Sequence, residues 1–341
     1  MSSVLLIRAG RSLVLGVLLC WGSAVAQTIG AGLSLADWLV RVNQAARQSA
    51  YTGTFVVMAG DTFASSKIWH ACDGQQQLER VVSLSGTQRM TYRRDAQVIT
   101  FFPATRRALI ENRESLNLFS DRLSAMDPSI ADVYQFQSIG EQRIAGLDAD
   151  VVRLVPKDQW RYGFTVWSER NTGLLLQLKT HDVDGRVLEQ AAFSELQINA
   201  AVDKAELIRL MAQTDGYHIE RSTLLPTTAE DQGWTLRRMV NGFKPMRCYQ
   251  RPVASPVGEV ARQIAVDART AVQCVFSDGL ATVSVFMEPF DPRRHVREGV
   301  ATMGGATHTV ARRYADWWVT AVGEAPLATL HAFARGLERK Q

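Results

Sequence analysis

The sequence predicts an α+β protein in which antiparallel strands greatly outnumber helices. Residues 160–196 read as three or four consecutive strands separated by tight turns at Asn171-Thr172-Gly173 and Asp184-Gly185, because Gly and Asn accept positive φ at little cost. Residues 51–102 hold a second series of strands with regular turns, which indicates a barrel or a strongly curved sheet. Only one strong helix, at 35–48, accompanies these strands.

That helix has a clear start and an apolar stripe. Ser34 and Asp37 form a capping box, and the helix should end near Ser49. Its apolar residues recur at helical spacing and predict a face that packs on another layer. They are Leu35, Trp38, Leu39, Val42 and Ala45.

A single helix is little cover for a sheet of this size. The aromatic side chains of the first half therefore predict either an ordinary filled core or a cavity for an acyl chain, and the sequence leaves both open. Residues 116–133, spaced like short helices around Pro128, predict a plug or lid on the sheet. Asp203 with Glu206 caps a further short helix through Met211.

The length of 341 residues suggests about two domains. The turn-rich segment 221–231 predicts a linker, which gives a first domain at 27–220 and a second, smaller α+β domain at 232–341. In the second domain, 291–300 is expected to be a loop or short helix. Pro326 opens a final helix, because proline suits a first helical turn.

Residues 1–26 predict a secretory signal. Arg8 and Arg11 precede a short apolar core, and Ala24-Val25-Ala26 resembles a cleavage site. Lipidation at Cys20 is the competing interpretation, and a large Leu directly before Cys20 argues against it. We therefore expect an exported protein. An oxidising compartment permits disulfides, and we predict a bridge between Cys248 and Cys274 on two strand-like segments, with Cys72 left over.

Catalytic and metal-binding patterns are weak in this sequence. His70 and Cys72 could form half of a zinc site, but no second pair lies at ligand spacing, so two ordinary strand residues are favoured. Neither a nucleophile elbow nor a phosphate loop occurs. The formal charge of +4, half of it in the signal segment, argues against nucleic acid. Five Arg-Arg pairs leave room for an acidic partner or an anionic headgroup.

Several short motifs, taken in order and spacing, resemble the MucB/RseB family over essentially the whole mature chain. In the first half they are Tyr51-Thr52-Gly53-Thr54-Phe55, His70 with Asp73-Gly74, Leu84-x-Gly86-x-x-Arg89, Asp158-x-x-Arg161-Tyr162, Trp167 and Thr172-Gly173-Leu174-Leu175. In the second half they are Trp234, Gly242-Phe243, Ser277-Asp278-Gly279-Leu280-Ala281, Val283-Ser284-Val285-Phe286, Met303-Gly304-Gly305-Ala306 and Thr320-Ala321-Val322-Gly323-Glu324-Ala325-Pro326.

The resemblance implies a first domain like the lipoprotein carrier LolA, an unclosed antiparallel β-barrel with few helices. It also implies a second domain that binds the periplasmic part of a transmembrane anti-sigma factor of the RseA/MucA type. Members of this family regulate the envelope-stress (sigma-E, AlgU-type) sigma factor negatively and shield the anti-sigma factor from site-1 proteolysis. The resemblance also implies that lipid or lipopolysaccharide fragments bind the first domain and release the anti-sigma factor. Such proteins are periplasmic, are not enzymes and need no cofactor or metal.

Two sets of residues follow as expected sites, with a homodimer left open. The expected lipid-binding wall is Phe55, Val57, Trp69, Phe101, Trp160, Trp167 and Leu176. The expected partner-binding surface is Phe276, Asp278, Leu280, Arg312, Arg313, Trp317 and Trp318. A periplasmic lipid or lipoprotein carrier is the alternative function, and an exported hydrolase is a third, disfavoured by the missing motifs.

Overall fold

Two predominantly antiparallel sheets form most of the protein in the computed structural model, which describes residues 34–72, 75–112, 128–222, 224–252 and 270–340. The first sheet has twelve strands: β1 (Ala50–Ala59), β2 (Thr62–Cys72), β3 (Gln77–Ser83), β4 (Met90–Arg94), β5 (Gln97–Phe102), β6 (Arg107–Asn112), β7 (Tyr134–Ile144), β8 (Leu147–Pro156), β9 (Gly163–Glu169), β10 (Leu175–His181), β11 (Val187–Ile198) and β12 (His218–Arg221). Their spatial order is β12-β6-β5-β4-β3-β2-β1-β11-β10-β9-β8-β7, so the sheet has two edges and is not closed.

The second sheet is smaller. Its seven strands are β13 (Leu225–Thr227), β15 (Lys244–Pro252), β16 (Thr270–Ser277), β17 (Thr282–Pro289), β18 (Gly299–Thr302), β19 (His308–Tyr314) and β20 (Trp317–Gly323), in the order β13-β15-β16-β17-β20-β19-β18. A separate two-stranded ribbon joins β14 (Trp234–Leu236) to β21 (Leu337–Arg339). The helices are α1 (Leu35–Gln48), α2 (Ile130–Val133), α3 (Lys204–Met211) and α4 (Leu327–Gly336). The predicted α+β class with an unclosed sheet and a smaller second unit is confirmed.

Helix α1 covers one face of the first sheet, which we call the α1 face. The Ser34 hydroxyl accepts a hydrogen bond from the Asp37 N–H, as the capping box predicts, and the helix ends at Ser49. Four of the five stripe residues are buried in the core of this face. From the sheet, that core takes Tyr51, Phe55, Ile68, Val152, Leu154, Phe164, Val166, Leu175, Leu178, Ala191 and Phe193.

The turn between β9 and β10 needs a glycine at position 173 because it lies close to helix α1. Gly173 has a φ of 82°, and a Cβ there would lie 2.6 Å from the carbonyl carbon of Arg41 in α1. The Arg41 side chain also holds the helix to the sheet, since it pairs with Asp150 at 2.8 Å. A glycine is therefore required where α1 crosses the predicted hairpin.

Helix α4 covers the second sheet. Leu330 and Phe333 are buried against strand residues such as Val285 and Ala321, whereas Leu327 is exposed and Leu337 belongs to β21. Pro326 stands one position before the helix, as its N-cap residue. Cys248 and Cys274 are opposite each other on β15 and β16 and form a disulfide.

Some sequence-based boundaries differ from the structure. The predicted linker 221–231 is too long, because β12 ends at Arg221 in the first sheet and β13 begins at Leu225 in the second. The predicted loop 291–300 contains the start of β18, whose Gly-Val-Ala-Thr sequence carries little strand signal. Of the predicted plug at 116–133, residues 116–127 lie outside the described residues, as does the signal segment 1–26. No helix among the described residues is long and apolar enough to cross a membrane.

The first sheet contains a buried polar cluster on β2, β3 and β4. Glu79 lies 2.7 Å from the His70 imidazole and 3.3 Å from the Arg93 guanidinium, and all three side chains are buried. Burial alone would raise the pKa of Glu79, but hydrogen bonds and charge from His70 and Arg93 outweigh it. The pKa therefore lies below its ordinary value of 4.5. The metal-site alternative for His70 gains no support, since the described residues contain no group of three or more candidate ligands.

We predict that this cluster controls the stability of the protein in acid. A carboxyl whose pKa is lowered by folding stabilises the fold above its unfolded pKa, and this stabilisation is lost as the pH falls through the folded pKa. The free energy of unfolding of the wild type, measured by urea titration, should fall as the pH is lowered from about 5. In Glu79→Gln the free energy of unfolding should depend less on pH. At pH 7 Glu79→Gln should lower the free energy of unfolding by roughly 3 kcal/mol, because it removes the carboxylate that balances the charge of the buried Arg93 guanidinium.

The control is Glu206→Gln, which removes an exposed carboxylate paired with Arg209 in α3. Screening by solvent makes such a pair weak, so this variant should follow the wild type at every pH. Equal behaviour of the two variants would show that the buried cluster does not govern acid stability.

Candidate functional site

The junction between the two sheets is built around Arg161. This residue lies in the β8–β9 loop of the first sheet and is fully buried. Its Nη1 donates to Asp278 Oδ2 of the second sheet at 2.6 Å, and its Nε donates to Asp158 Oδ1 at 2.9 Å. Its Nη2 donates to the backbone oxygen of Asn241. One guanidinium thus holds two carboxylates and a carbonyl from both halves of the chain.

Asp278 has every acceptor site occupied. Its Oδ1 accepts from the N–H groups of Leu280 and Ala281 at 2.9 and 2.7 Å, and its Oδ2 also accepts from the Tyr134 hydroxyl at 3.3 Å. The first two bonds shape the β16–β17 turn, and the third comes from the first sheet. The turn is consequently fixed to the first sheet as well as to its own.

Each half of the chain places an apolar residue in the core of the other. Leu280, in the β16–β17 turn, is buried in the core of the α1 face. Trp160, in the β8–β9 loop, packs against the core of the second sheet, and its carbonyl accepts from the Thr329 hydroxyl of α4 at 2.7 Å. These exchanges fix the two sheets relative to each other by packing as well as by charge.

Gly242 allows the close approach at this junction. Its φ is 77°, and a Cβ there would lie 2.5 Å from Val133 Cγ1 and 2.8 Å from Arg161 Nη2. Any side chain would therefore push the second half of the chain away from Arg161. The sequence alone does not explain the glycine of the Gly242-Phe243 motif, and this close approach does.

Burial sets the protonation of the junction. It raises the pKa of the Tyr134 hydroxyl well above its ordinary value, and the nearby Asp278 carboxylate raises it further. Burial also raises the pKa of the Asp278 carboxyl, against the opposing effect of the Leu280 N–H and of Arg161. Burial alone would raise the pKa of Asp158, but hydrogen bonds from Arg161 and the Trp160 N–H lower it. Tyr134 therefore remains a neutral donor at physiological pH.

The seven residues predicted to form a lipid-binding wall do not share one surface. Phe55 belongs to the core of the α1 face and Val57 packs against it, but Trp167 and Leu176 belong to a cluster on the opposite face. The prediction of a single wall is therefore wrong, and its physical cause is strand alternation, since neighbouring residues face opposite sides.

The remaining three residues of that set lie elsewhere. Phe101 packs in a third cluster with Tyr92 and Met211. Trp69 is half-buried with the Lys67 ammonium 5.1 Å and the Arg80 guanidinium 4.6 Å from its ring centre, so it is stacked among cations. Trp160 packs on the second core, as described above. Phe55 and Val57 remain as candidates for contact with an acyl chain.

The predicted partner surface also divides into separate locations. Phe276 and Trp318 are buried in the second half of the chain, and Trp317 packs on the core beneath the Arg339 guanidinium. Asp278 and Leu280 are buried at the junction described above. Four of these five residues are buried and Trp317 is half-buried, so the prediction that they form one accessible surface is wrong in this arrangement.

Arg312 and Arg313 have a different environment. They line an open cavity of about 390 Å³ at the edge of the second sheet. The Arg313 guanidinium stacks on the Phe290 ring at 3.9 Å, and Arg312 lies above the Tyr314 ring at 5.9 Å. Its lining among the described residues is Glu298, Gly299, Val310, Ala311, Arg312, Arg313, His331 and Arg335.

Comparisons with known proteins match both halves of the chain. The family model for the MucB/RseB N-terminal domain matches residues 34–211, and that for the MucB/RseB C-terminal domain matches residues 228–338. The chain belongs to the MucB/RseB family. One relative is the sigma factor AlgU regulatory protein MucB of Pseudomonas aeruginosa, which is 30% identical over 93% of this chain and 95% of its own length.

Solved structures of MucB have the same architecture. A crystal structure of MucB in complex with MucA(peri) superposes with a TM-score of 0.67 at 26% identity, covering 90% of this chain and 100% of that chain. A complex of Pseudomonas aeruginosa MucA and MucB gives a TM-score of 0.66 at 27% identity, covering 90% and 99%. The two-sheet arrangement described here is thus that of a MucB/RseB protein.

We predict that the Arg161–Asp278 pair couples the two halves energetically. Arg161→Ala leaves a carboxylate buried without its cation and should lower the free energy of unfolding by about 3–5 kcal/mol, and Asp278→Ala should cost a similar amount. The double variant should cost less than the sum, since its second change removes a charge that is already unpaired. Urea titration followed by tryptophan fluorescence measures all three.

The matched control is the exposed pair of Arg107 and Glu220, 2.6 Å apart on β6 and β12. Arg107→Ala should cost less than about 1 kcal/mol. Strict additivity of the Arg161 and Asp278 substitutions would contradict the coupling.

Proposed function

We propose that this chain is a periplasmic negative regulator of an envelope-stress sigma factor. In this proposal it binds the periplasmic part of a transmembrane anti-sigma factor of the MucA/RseA type and shields it from site-1 proteolysis. The observation that carries the proposal is the match, over 90% of this chain, to MucB crystallised in complex with MucA(peri).

The chain's own geometry supports a binding role without catalysis. The polar groups buried at the junction form hydrogen bonds with structural partners. Asp278 accepts from Arg161, Tyr134 and two backbone N–H groups. The buried Glu79 carboxylate of the first sheet is likewise paired with His70 and Arg93. Groups held in this way fix a shape, whereas a nucleophile or general base needs free access to a substrate.

Shielding requires a surface that is rigid enough to hold an extended or irregular partner away from a protease. The exchange of Leu280 and Trp160 between the two cores supplies that rigidity, because a rotation of the sheets would extract the buried Leu280 from one core and separate the half-buried Trp160 from the other. A partner that contacts both sheets would therefore be held in one orientation. The negative regulation then results from a long-lived complex between this chain and the anti-sigma factor.

Release by a lipid is the second part of the proposal. An acyl chain that enters the α1 face must compete with the apolar stripe of α1, which is buried in the same core as Phe55, with Val57 packed against that core. Lipid binding would weaken the partner complex only if the lipid binds the released arrangement better. The junction at Arg161 is the route by which a change on the α1 face would reach the second sheet.

Binding and protection are predicted together. The full mature chain should bind the periplasmic part of a MucA-type anti-sigma factor from the same genome with a Kd below about 1 μM by isothermal titration calorimetry, as expected for a specific interface of standard size. It should also slow cleavage of that segment by the site-1 protease. A titration without heat at two temperatures, together with unchanged cleavage, would exclude this function and favour the carrier alternative.

The lipid step is predicted to depend on the α1 face. Lipopolysaccharide added to the preformed complex should displace the partner, and Val57→Trp should raise the lipid concentration needed by about ten-fold, because the added ring fills space that an acyl chain would take. Partner affinity in lipid-free buffer should stay unchanged. Fluorescence anisotropy of the labelled partner measures both quantities.

Trp69→Ala is the control for that experiment. Trp69 belongs to the originally predicted lipid wall but is stacked with Lys67 and Arg80. It also follows Ile68, whose side chain is in the core of the α1 face, so Trp69 faces the other side of β2. Its truncation should leave lipid release as in the wild type. A larger effect of Trp69→Ala than of Val57→Trp would assign lipid binding to the outer face of the sheet.

A further inference from the structure

We propose that β18 and the adjacent cavity bind an acidic, extended segment of the protein partner, which adds to the second sheet as an eighth strand. The inference rests on the proposed function and names the surface and the chemistry of that interaction. Two independent observations carry it, namely an unprotected sheet edge and two arginines, Arg312 and Arg335, that contact no carboxylate in the part of the chain that the structure describes.

The edge is formed by β18. Among the described residues this strand pairs only with β19, and it is the last strand in the order of the second sheet. All four of its residues, Gly299–Thr302, are exposed, including the apolar side chain of Val300. One side of an edge strand presents N–H and C=O groups that can pair with a further strand.

Among the described residues, the other three edges of the two large sheets carry features that discourage such pairing. β13 is three residues long and contains Pro226, which cannot donate to a ladder. β7 has a bulge between Ser138 and Gly140 and charged residues near its end. In β12, Glu220 is ion-paired with Arg107 on the neighbouring strand. The sequence of β18, Gly-Val-Ala-Thr, contains neither charge nor proline, so this edge lacks those defences.

The cavity lies where α4 meets this edge. His331 and Arg335 of α4 face it together with Arg312 of β19. None of these three side chains contacts a carboxylate among the described residues. The only acidic residue of the lining, Glu298, accepts a hydrogen bond from the Arg313 N–H. Within the described ranges, a cavity with an excess of arginines therefore lies beside the side of β18 that pairs with no strand.

The two features select one kind of occupant. Peptide groups on the β18 edge are satisfied by another peptide backbone, which a lipid headgroup does not supply. In an added strand every second side chain faces the same side, at a spacing of about 6.6 Å, so alternate Asp or Glu residues could reach Arg312 and Arg335. An extended acidic peptide segment meets both requirements.

The experiment uses the full mature chain and the periplasmic part of the MucA-type anti-sigma factor as the probe. The double variant Arg312→Glu/Arg335→Glu should lower the affinity at least about ten-fold by titration calorimetry, because it reverses two charges that face the acidic segment. Arg312→Gln/Arg335→Gln should show a smaller loss in the same direction. Arg89→Glu, an exposed arginine in the β3–β4 loop of the first sheet, is the matched control and should bind as the wild type does.

Hydrogen–deuterium exchange tests the strand addition itself. Amide hydrogens of 299–302 should become protected in the complex, since an added strand accepts hydrogen bonds from the outward N–H groups. Charge variants that bind normally, or a complex that leaves 299–302 unprotected, would overturn the inference while leaving the proposed function in place.

Two further outcomes are decisive. The absence of any partner binding by the wild type would remove both the inference and the proposed function. Vesicles of phosphatidylglycerol that bind the wild type but not the double variant, with partner affinity unchanged, would assign the cavity to an anionic headgroup and overturn the peptide proposal. Thermal melting of each variant, followed by circular dichroism, separates loss of binding from loss of folding.

Discussion

The structure depends on one buried contact, the 2.6 Å pair between Arg161 and Asp278. Removing two charges from water is expensive, and the pair is acceptable only because Asp158, Tyr134 and backbone groups satisfy the remaining donors and acceptors. A pair of this kind adds little net stability but tolerates only one geometry. Its main effect is therefore to specify how the two sheets meet.

Because the contact fixes how the two sheets meet, a structural change in one half of the chain affects the other half. A lipid that displaced α1 would disturb the core that contains Leu280, and Leu280 follows Asp278 in the β16–β17 turn. The same turn leads directly into β17, the central strand of the second sheet. Coupling between a lipid and a protein partner requires such an element with two alternative arrangements, and the turn is the place where both ligands could bias it.

Local signals explain what the sequence predicts well. The capping residues Ser34 and Asp203 bond as expected, and the turns at Gly173 and Gly185 have positive φ. The site is harder to foresee, because Arg161 and Asp278 are 117 residues apart and no local pattern pairs one with the other. The lipid wall failed for a different reason, since the aromatic character of Trp167 gives no information about which face of β9 it occupies.

The arginine pairs show how folding turns an ambiguous pattern into a specific one. As sequence, all five pairs read alike, as solvated faces or as a partner surface. Four of them have at least one member ion-paired within the chain, namely Arg93 with Glu79, Arg107 with Glu220, Arg237 with Glu338, and Arg293 and Arg294 with Asp291 and Glu288. In the fifth pair, Arg313 stacks on Phe290 and donates to the Ala315 carbonyl, and Arg312 faces the cavity. Intramolecular carboxylates thus pair with at least one member of each of the other four arginine pairs, whereas Arg312 of the fifth pair lies at the cavity beside the least protected edge of the second sheet.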